Sequence, residues 1–263
     1  MFDFSNKTLG LVHVAARLNA SRLADIVAPG AITQPTQGVN YHAAANLSGD
    51  LANNLFGCCV EAGMFRMAQI RMANAWKSTW TPQADAVLSL YSALTGFSQS
   101  NPASDNGTDV PTAMSWWAQH GLDLGLQSPD VLWPHVTVDH QNMAALQCAI
   151  DWLGAVGFSF ALPKSAMNAA TWDVPASGVD SPEGQPGGWG MHFAPSGRFD
   201  IGGNFYVVTW GEEVPVTPAF VKAYAVAADT GVSQTWLSAS GKSPPGLNLA
   251  QLGTAAVNLA KLA

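Results

Sequence analysis

Apolar residues recur three and four apart from position 60, at Val60, Met64, Met67, Ala68, Met72 and Ala75, and this spacing predicts a helix from Cys59 to about Lys77. Thr81-Pro82 reads as the cap and first turn of a second helix over roughly 82–95, with Leu88, Tyr91 and Leu94 on one face and Gly96 as its stop. Ser98–Pro111 is polar and carries the turn signal Asn106-Gly107, so it predicts a surface loop. Thr112 is placed to cap a short third helix ending near Gly121. Its adjacent Trp116 and Trp117 point to different sides, which suits an element between core and cleft.

Val131–Val138 is strand-like, and Asn142 is placed to cap a helix with Met143, Leu146, Ile150 and Leu153 on one face. Beyond Gly157 the period changes to that of strands: Phe158–Leu162, Met191–Pro195, Phe199–Ile201 and Phe205–Thr209, with Gly202-Gly203-Asn204 as a hairpin turn. Helices first and strands later predict an α+β fold with segregated layers. Between the strands lies a proline- and glycine-rich loop, Asp173–Gly188, of a length usual for functional lids. Thr217-Pro218 restarts a short helix, and Tyr224–Ala227 reads as a last strand. Three regions result: an extended N-terminal arm over 1–45, a body over 46–236, and a linker with a helix capped by Asn248 over 237–263. The arm is expected to drape on the body or grip a partner.

Composition narrows the function classes. The chain has 263 residues, 48% hydrophobic and 11% charged, which describes a large core and a sparsely charged surface. The net charge of -7 and the absence of a basic run argue against a nucleic-acid surface. No run of about 18 apolar residues predicts a membrane span, and Met1-Phe2-Asp3-Phe4-Ser5 lacks a signal-peptide pattern, so a cytoplasmic location is expected. Three cysteines, two of them adjacent, predict free thiols. Neither a second Cys pair nor a His-x3-His spacing accompanies Cys58 and Cys59, so neither a metal nor any other cofactor is expected.

Chemistry concentrates in two places. Gly57-Cys58-Cys59 opens the first helix, whose N-terminal N–H groups favour a thiolate, and Gly57 leaves room for a substrate to approach. Trp189-Gly190-Met191-His192 enters a strand after the long loop, and His192 is the best placed of six histidines to act as the base for Cys59. Asn53 and Asn54, just upstream, are candidate oxyanion amides as well as ordinary turn residues. Trp189 and Trp210 are candidate walls of the cleft. Glu61, in the first helical turn, opposes thiolate formation at Cys59.

The segment Asn53-Asn54-Leu55-Phe56-Gly57-Cys58-Cys59, then Trp189-Gly190-Met191-His192 and Val207-Val208-Thr209-Trp210-Gly211, together resemble the papain-like cysteine peptidase superfamily, in a branch found in bacterial and phage genomes. The resemblance implies a papain-like α+β fold with the nucleophile helix packed on a mostly antiparallel sheet. It implies Cys59 as nucleophile, His192 as base and Asn53 as oxyanion amide. Cys58 stands where that branch carries Asp, and Val208 stands where papain itself has the Asn that orients the histidine. Two functions are therefore expected in competition. One is a cysteine peptidase-like hydrolase attacking a peptide or isopeptide carbonyl with a Cys59–His192 dyad. The other is a catalytically inactive structural protein of a phage head or tail, with other phage proteins or its own copies as partners and the virion as its location.

Overall fold

The computed structural model describes residues 3–11, 21–22, 35–249 and 251–252. Helix α1 (Cys59–Ala75) is buried along nearly its whole length, from Cys59 to Ala73, on every face. A helix apolar all round belongs inside a core, which is why its charged residues are buried too. Arg71 is fully buried: its Nε donates to the Leu153 carbonyl at 2.9 Å, its Nη2 to the Gly231 carbonyl at 3.0 Å, and it lies 5.7 Å over the Trp117 ring. Arg66 donates to the carbonyls of Ser48 and Gly49 at 2.7 and 2.6 Å, pinning the loop before the helix.

Helix α2 (Ala84–Thr95) starts two residues later than the Thr81-Pro82 signal implies, with Gln83 at its cap position, and ends at Gly96 in a left-handed conformation. Helix α3 (Val110–His120) is capped by Asp109, not Thr112; the Thr112 N–H instead donates to the Asp109 carboxylate at 2.9 Å. Pro111 then occupies the first turn, where its missing N–H costs nothing. Helix α4 (Met143–Leu153) has the expected cap, Asn142 Oδ1 accepting from the Ala145 N–H at 3.1 Å. Helix α5 (Pro218–Tyr224) is capped by Thr217.

The described strands are β1 (Ser21–Arg22), β2 (Val39–Asn40), β3 (Leu132–Val138), β4 (Val156–Leu162), β5 (Gly190–Phe199), β6 (Phe205–Thr209), β7 (Glu212–Val216) and β8 (Ala225–Ser233). They form one sheet in the order β1-β3-β8-β4-β5-β6-β7, with β2 pairing the end of β5. All pairings but β1–β3 are antiparallel. The two strand segments expected at Met191–Pro195 and Phe199–Ile201 are one continuous strand, β5. The last strand is longer than Tyr224–Ala227, and β7 is an addition to the expected set. Its Pro215 is tolerated because β7 ends the sheet.

The sheet separates two apolar clusters. One joins α4 and α5 to Phe158, Phe160, Trp172 and Phe205; the other joins α1, α2 and α3 to Leu132, Ala155 and Phe193. The architecture is α+β, a helical layer containing α1 packed on a mostly antiparallel sheet. Of the C-terminal helix expected from Asn248, the part beyond Leu252 lies outside the described residues; Asn248 Oδ1 accepts from the Gln251 N–H at 2.8 Å. The stretch 12–20 and 23–34 of the expected arm also lies outside them, His13 included.

Candidate active site

Cys58 occupies the cap position of α1 and Cys59 its first helical residue, so Cys59 stands where a helix N-terminus presents unpaired N–H groups. Gly57 precedes them because its N–H must reach Asp105 Oδ1 at 2.9 Å, and a Cβ there would meet that same oxygen at 2.9 Å. Asp105 also accepts from Tyr91 Oη at 2.7 Å, and Tyr91 Oη accepts from the Gly107 N–H at 2.8 Å. The polar loop 98–111 is thus tied to the start of the candidate nucleophile helix. Asp105 and Tyr91 carry no motif that would single them out in the sequence.

The Cys59 side chain is buried, at 1% exposure. Burial is the main influence on its thiol and pushes the pKa up to about 12; the N–H groups of Phe193 and Gly10 pull the other way, and the charge of Glu61 adds to the rise. Glu61 is itself fully buried and accepts from Thr108 Oγ1 at 2.6 Å. Desolvation raises its carboxyl to about 7. Burial likewise pushes the Cys58 thiol far up.

His192 sits on β5, whose side chains alternate between the two faces of the sheet. Met191 and Phe193 face α1: Phe193 belongs to the cluster containing Cys59, and a Cβ on Gly63 of α1 would meet the Phe193 ring at 2.5 Å. His192 takes the other face, with Ala194. Its ring is fully buried, stacked on Trp210 with centroids 4.3 Å apart, and Nε2 shares a 2.6 Å hydrogen bond with Thr209 Oγ1. Nδ1 is buried without a hydrogen-bond partner. Burial alone drives the imidazole down to about pKa 3, so it is neutral across the physiological range. No hydrogen bond or ion pair joins His192 to Cys59.

The remaining sequence candidates fall around this pair. Asn53 is buried and donates its amide to the Phe56 carbonyl at 3.1 Å, within its own turn. Asn53, Cys59, Phe193 and Val208 line a cavity of about 20 Å³. That holds one water and no substrate. Trp210 stacks on His192 at 4.3 Å and lies tilted against Trp189 and Phe4 at 5.6 and 4.8 Å. Its φ of 48° is left-handed, as are Leu51 and Ala52 at 55° and 65°, so backbone strain gathers on both rims of the cavity. Val208 is buried and apolar, with no donor or acceptor for an imidazole.

Sequence reasoning missed the occupant of the cleft. Phe4 is buried on Trp210, and residues 8–11 run between α1 and β5. Nothing in the arm's weak periodicity signals this. Among the described residues no group of three His, Cys, Asp or Glu side chains is arranged to hold a metal, and no helix is long and apolar enough to cross a membrane.

A helix opening on Cys59, laid across a mostly antiparallel sheet in which β5 carries His192, is the fold of the papain-like cysteine proteases. Xylellain, a cysteine protease from Xylella fastidiosa, superposes with a TM-score of 0.61 at 12% identity, over 86% of this chain and 96% of its own. Digestive procathepsin L 3 of Tenebrio molitor gives 0.53 at 12% identity over 76% and 71%, and the Ananas comosus bromelain protease with the E64 inhibitor 0.50 at 10% over 74% and 98%. At these identities the likeness is one of fold. No family model and no curated protein matches the sequence.

Proposed function

We propose that the chain uses a papain-like fold as a peptide-binding scaffold and does not run thiol hydrolysis with Cys59 and His192. The observation that carries this reading is the placement of His192: it is buried under Trp210 on the face of β5 turned away from Cys59. A cysteine nucleophile needs a base or cation beside it to exist as thiolate. Cys59 instead has a buried carboxyl nearby and a pKa of about 12. A phage head or tail is the setting we propose for such a scaffold, on its 11% charged residues and ten tryptophans.

A latent peptidase is the second reading, and one observation favours it. Cys59 is the first residue of α1, where the unpaired N–H groups of the helix start favour negative charge. The test is the pH dependence of Cys59 alkylation by iodoacetamide. The scaffold reading expects the rate to climb with pH to above 10, with no plateau near neutrality and no change in His192→Ala. A plateau between pH 5 and 8 that His192→Ala abolishes would establish the peptidase.

A further inference from the structure

We infer that His42 is an acid-sensitive latch: as a neutral imidazole it locks the turn 41–45 onto a bulge in β5, and as an imidazolium it lets that turn go. The latch concerns the far part of α1, near Ile70, and holds for either reading of Cys59.

The bulge creates the opening. Where β5 pairs β6 the register shifts between Ser196 and Arg198, and on the other side of β5 the ladder to β4 ends at Ser196 while that to β2 begins at Arg198. Gly197 is thus the extra residue of a bulge, outside every strand ladder. The turn satisfies both of its backbone groups: the Tyr41 N–H donates to the Gly197 carbonyl at 3.0 Å, and the Gly197 N–H donates to His42 Nε2 at 2.8 Å. A Cβ at this position would meet the Gly154 carbonyl at 3.0 Å and His42 Cδ2 at 3.2 Å, so the fit requires glycine.

His42 is buried, and with Nε2 accepting, its neutral ring carries the proton on Nδ1, which donates to Glu213 Oε2 at 2.5 Å. The same carboxylate accepts from Arg198 Nη1, and the Arg198 guanidinium lies 3.7 Å over the Tyr206 ring. The charges acting on the imidazole are Glu213 of β7, which favours the cation, and Arg198 of β5, which opposes it; α1 contributes the apolar Ile70. Burial is the largest influence and holds His42 below its ordinary 6.5. Burial pushes Glu213 up, but the bonds from His42 and Arg198 outweigh it and hold the carboxyl below 4.5, so it stays ionised while the ring titrates. A lowered pKa in the fold means that the neutral latch stabilises above 6.5 and is lost as pH falls through the folded value. The second proton has only Nε2 to go to, and there it faces the Gly197 N–H. Two donors cannot share that 2.8 Å gap, so the ring leaves the bulge. Glu213 is partly exposed, and the cation moves toward solvent still paired with it.

The test is a heteronuclear NMR titration of the full-length chain from about pH 7 to 4, following the His42 ring nitrogens and hydrogen exchange at the Gly197 N–H, corrected for its intrinsic rate. At neutral pH the ring should carry its proton on Nδ1. As His42 takes up the second proton, below pH 6.5, the Gly197 amide should lose about tenfold or more of its protection. His42→Gln places an amide oxygen where Nε2 stands and cannot titrate, so Gly197 should stay protected across the range. Glu213→Gln still accepts from Nδ1 but removes the charge that favours the cation, so the loss should move to lower pH by roughly half a unit or more. A carboxylate that only braced the turn would instead leave Gly197 less protected at every pH. If His42→Gln does not fold, the direction of the Glu213→Gln shift decides. Protection at Gly197 that survives protonation of His42, a neutral ring with its proton on Nε2, an equal loss in His42→Gln, or a Glu213→Gln loss that does not move to lower pH overturns the inference.

Discussion

Glu61 and His192 are both buried ionisable side chains, and they move stability in opposite directions with pH. Glu61 has its folded pKa raised to about 7 from 4.5, so its contribution is fully present below about 4.5 and is lost as pH rises through 7. The loss is on the order of 3 kcal/mol. His192 has its folded pKa lowered to about 3 from 6.5, so its contribution is present above 6.5 and is lost as pH falls through 3. Between about pH 4.5 and 6.5 the two slopes oppose. Glu61→Gln keeps an acceptor for Thr108 and removes one slope, so urea melts of this variant should gain stability steadily from pH 4.5 to 6.5 where the parent changes little. Identical pH profiles for the two proteins would contradict the burial of Glu61. At Cys59, a pKa of about 12 leaves roughly one thiolate in 10^5 at pH 7. These environments were not legible from residue type, because a charged residue in a first helical turn ordinarily faces water.

Elements were more legible than the faces they present. The caps at Asn142 and Thr217 followed from residue type, since each side chain satisfies an orphan helix N–H. Strand β7 was missed because Glu-Glu-Val-Pro-Val carries a proline that an edge tolerates. The face of His192 was decided by one residue of register, which no motif encodes. Phe193, its neighbour, fixes the fit of α1 on β5: its ring is wedged between Gly63 and Gly157, and a Cβ at either position would overlap it. Gly157→Ala should therefore cost about 1–3 kcal/mol by overpacking, read as a lowered midpoint in urea; an unchanged midpoint would mean that the ring is free to move. Arg71 holds the other end of α1. Arg71→Ala leaves the Leu153 and Gly231 carbonyls without their donor and should cost about 3–5 kcal/mol, or abolish cooperative melting.

At the scale of the molecule, the papain-like layout was legible because its parts are far apart in sequence and each carries a local signal: a Gly-Cys helix start, a Trp-Gly-x-His strand entry and a Val-Val-Thr-Trp-Gly strand end. What fills the cleft was not, since Gly10 is informative only beside Gly57 and Gly107. The central claim is that the fold keeps the imidazole of His192 out of reach of the Cys59 thiol. Its most direct measurement is a proton NMR titration of the His192 ring, assigned with His192→Phe, before and after alkylation of Cys59. A ring that stays neutral down to about pH 4 and titrates no differently after alkylation is the predicted result. A ring that titrates between pH 6 and 9 in the free protein, and shifts when Cys59 is blocked, would contradict it.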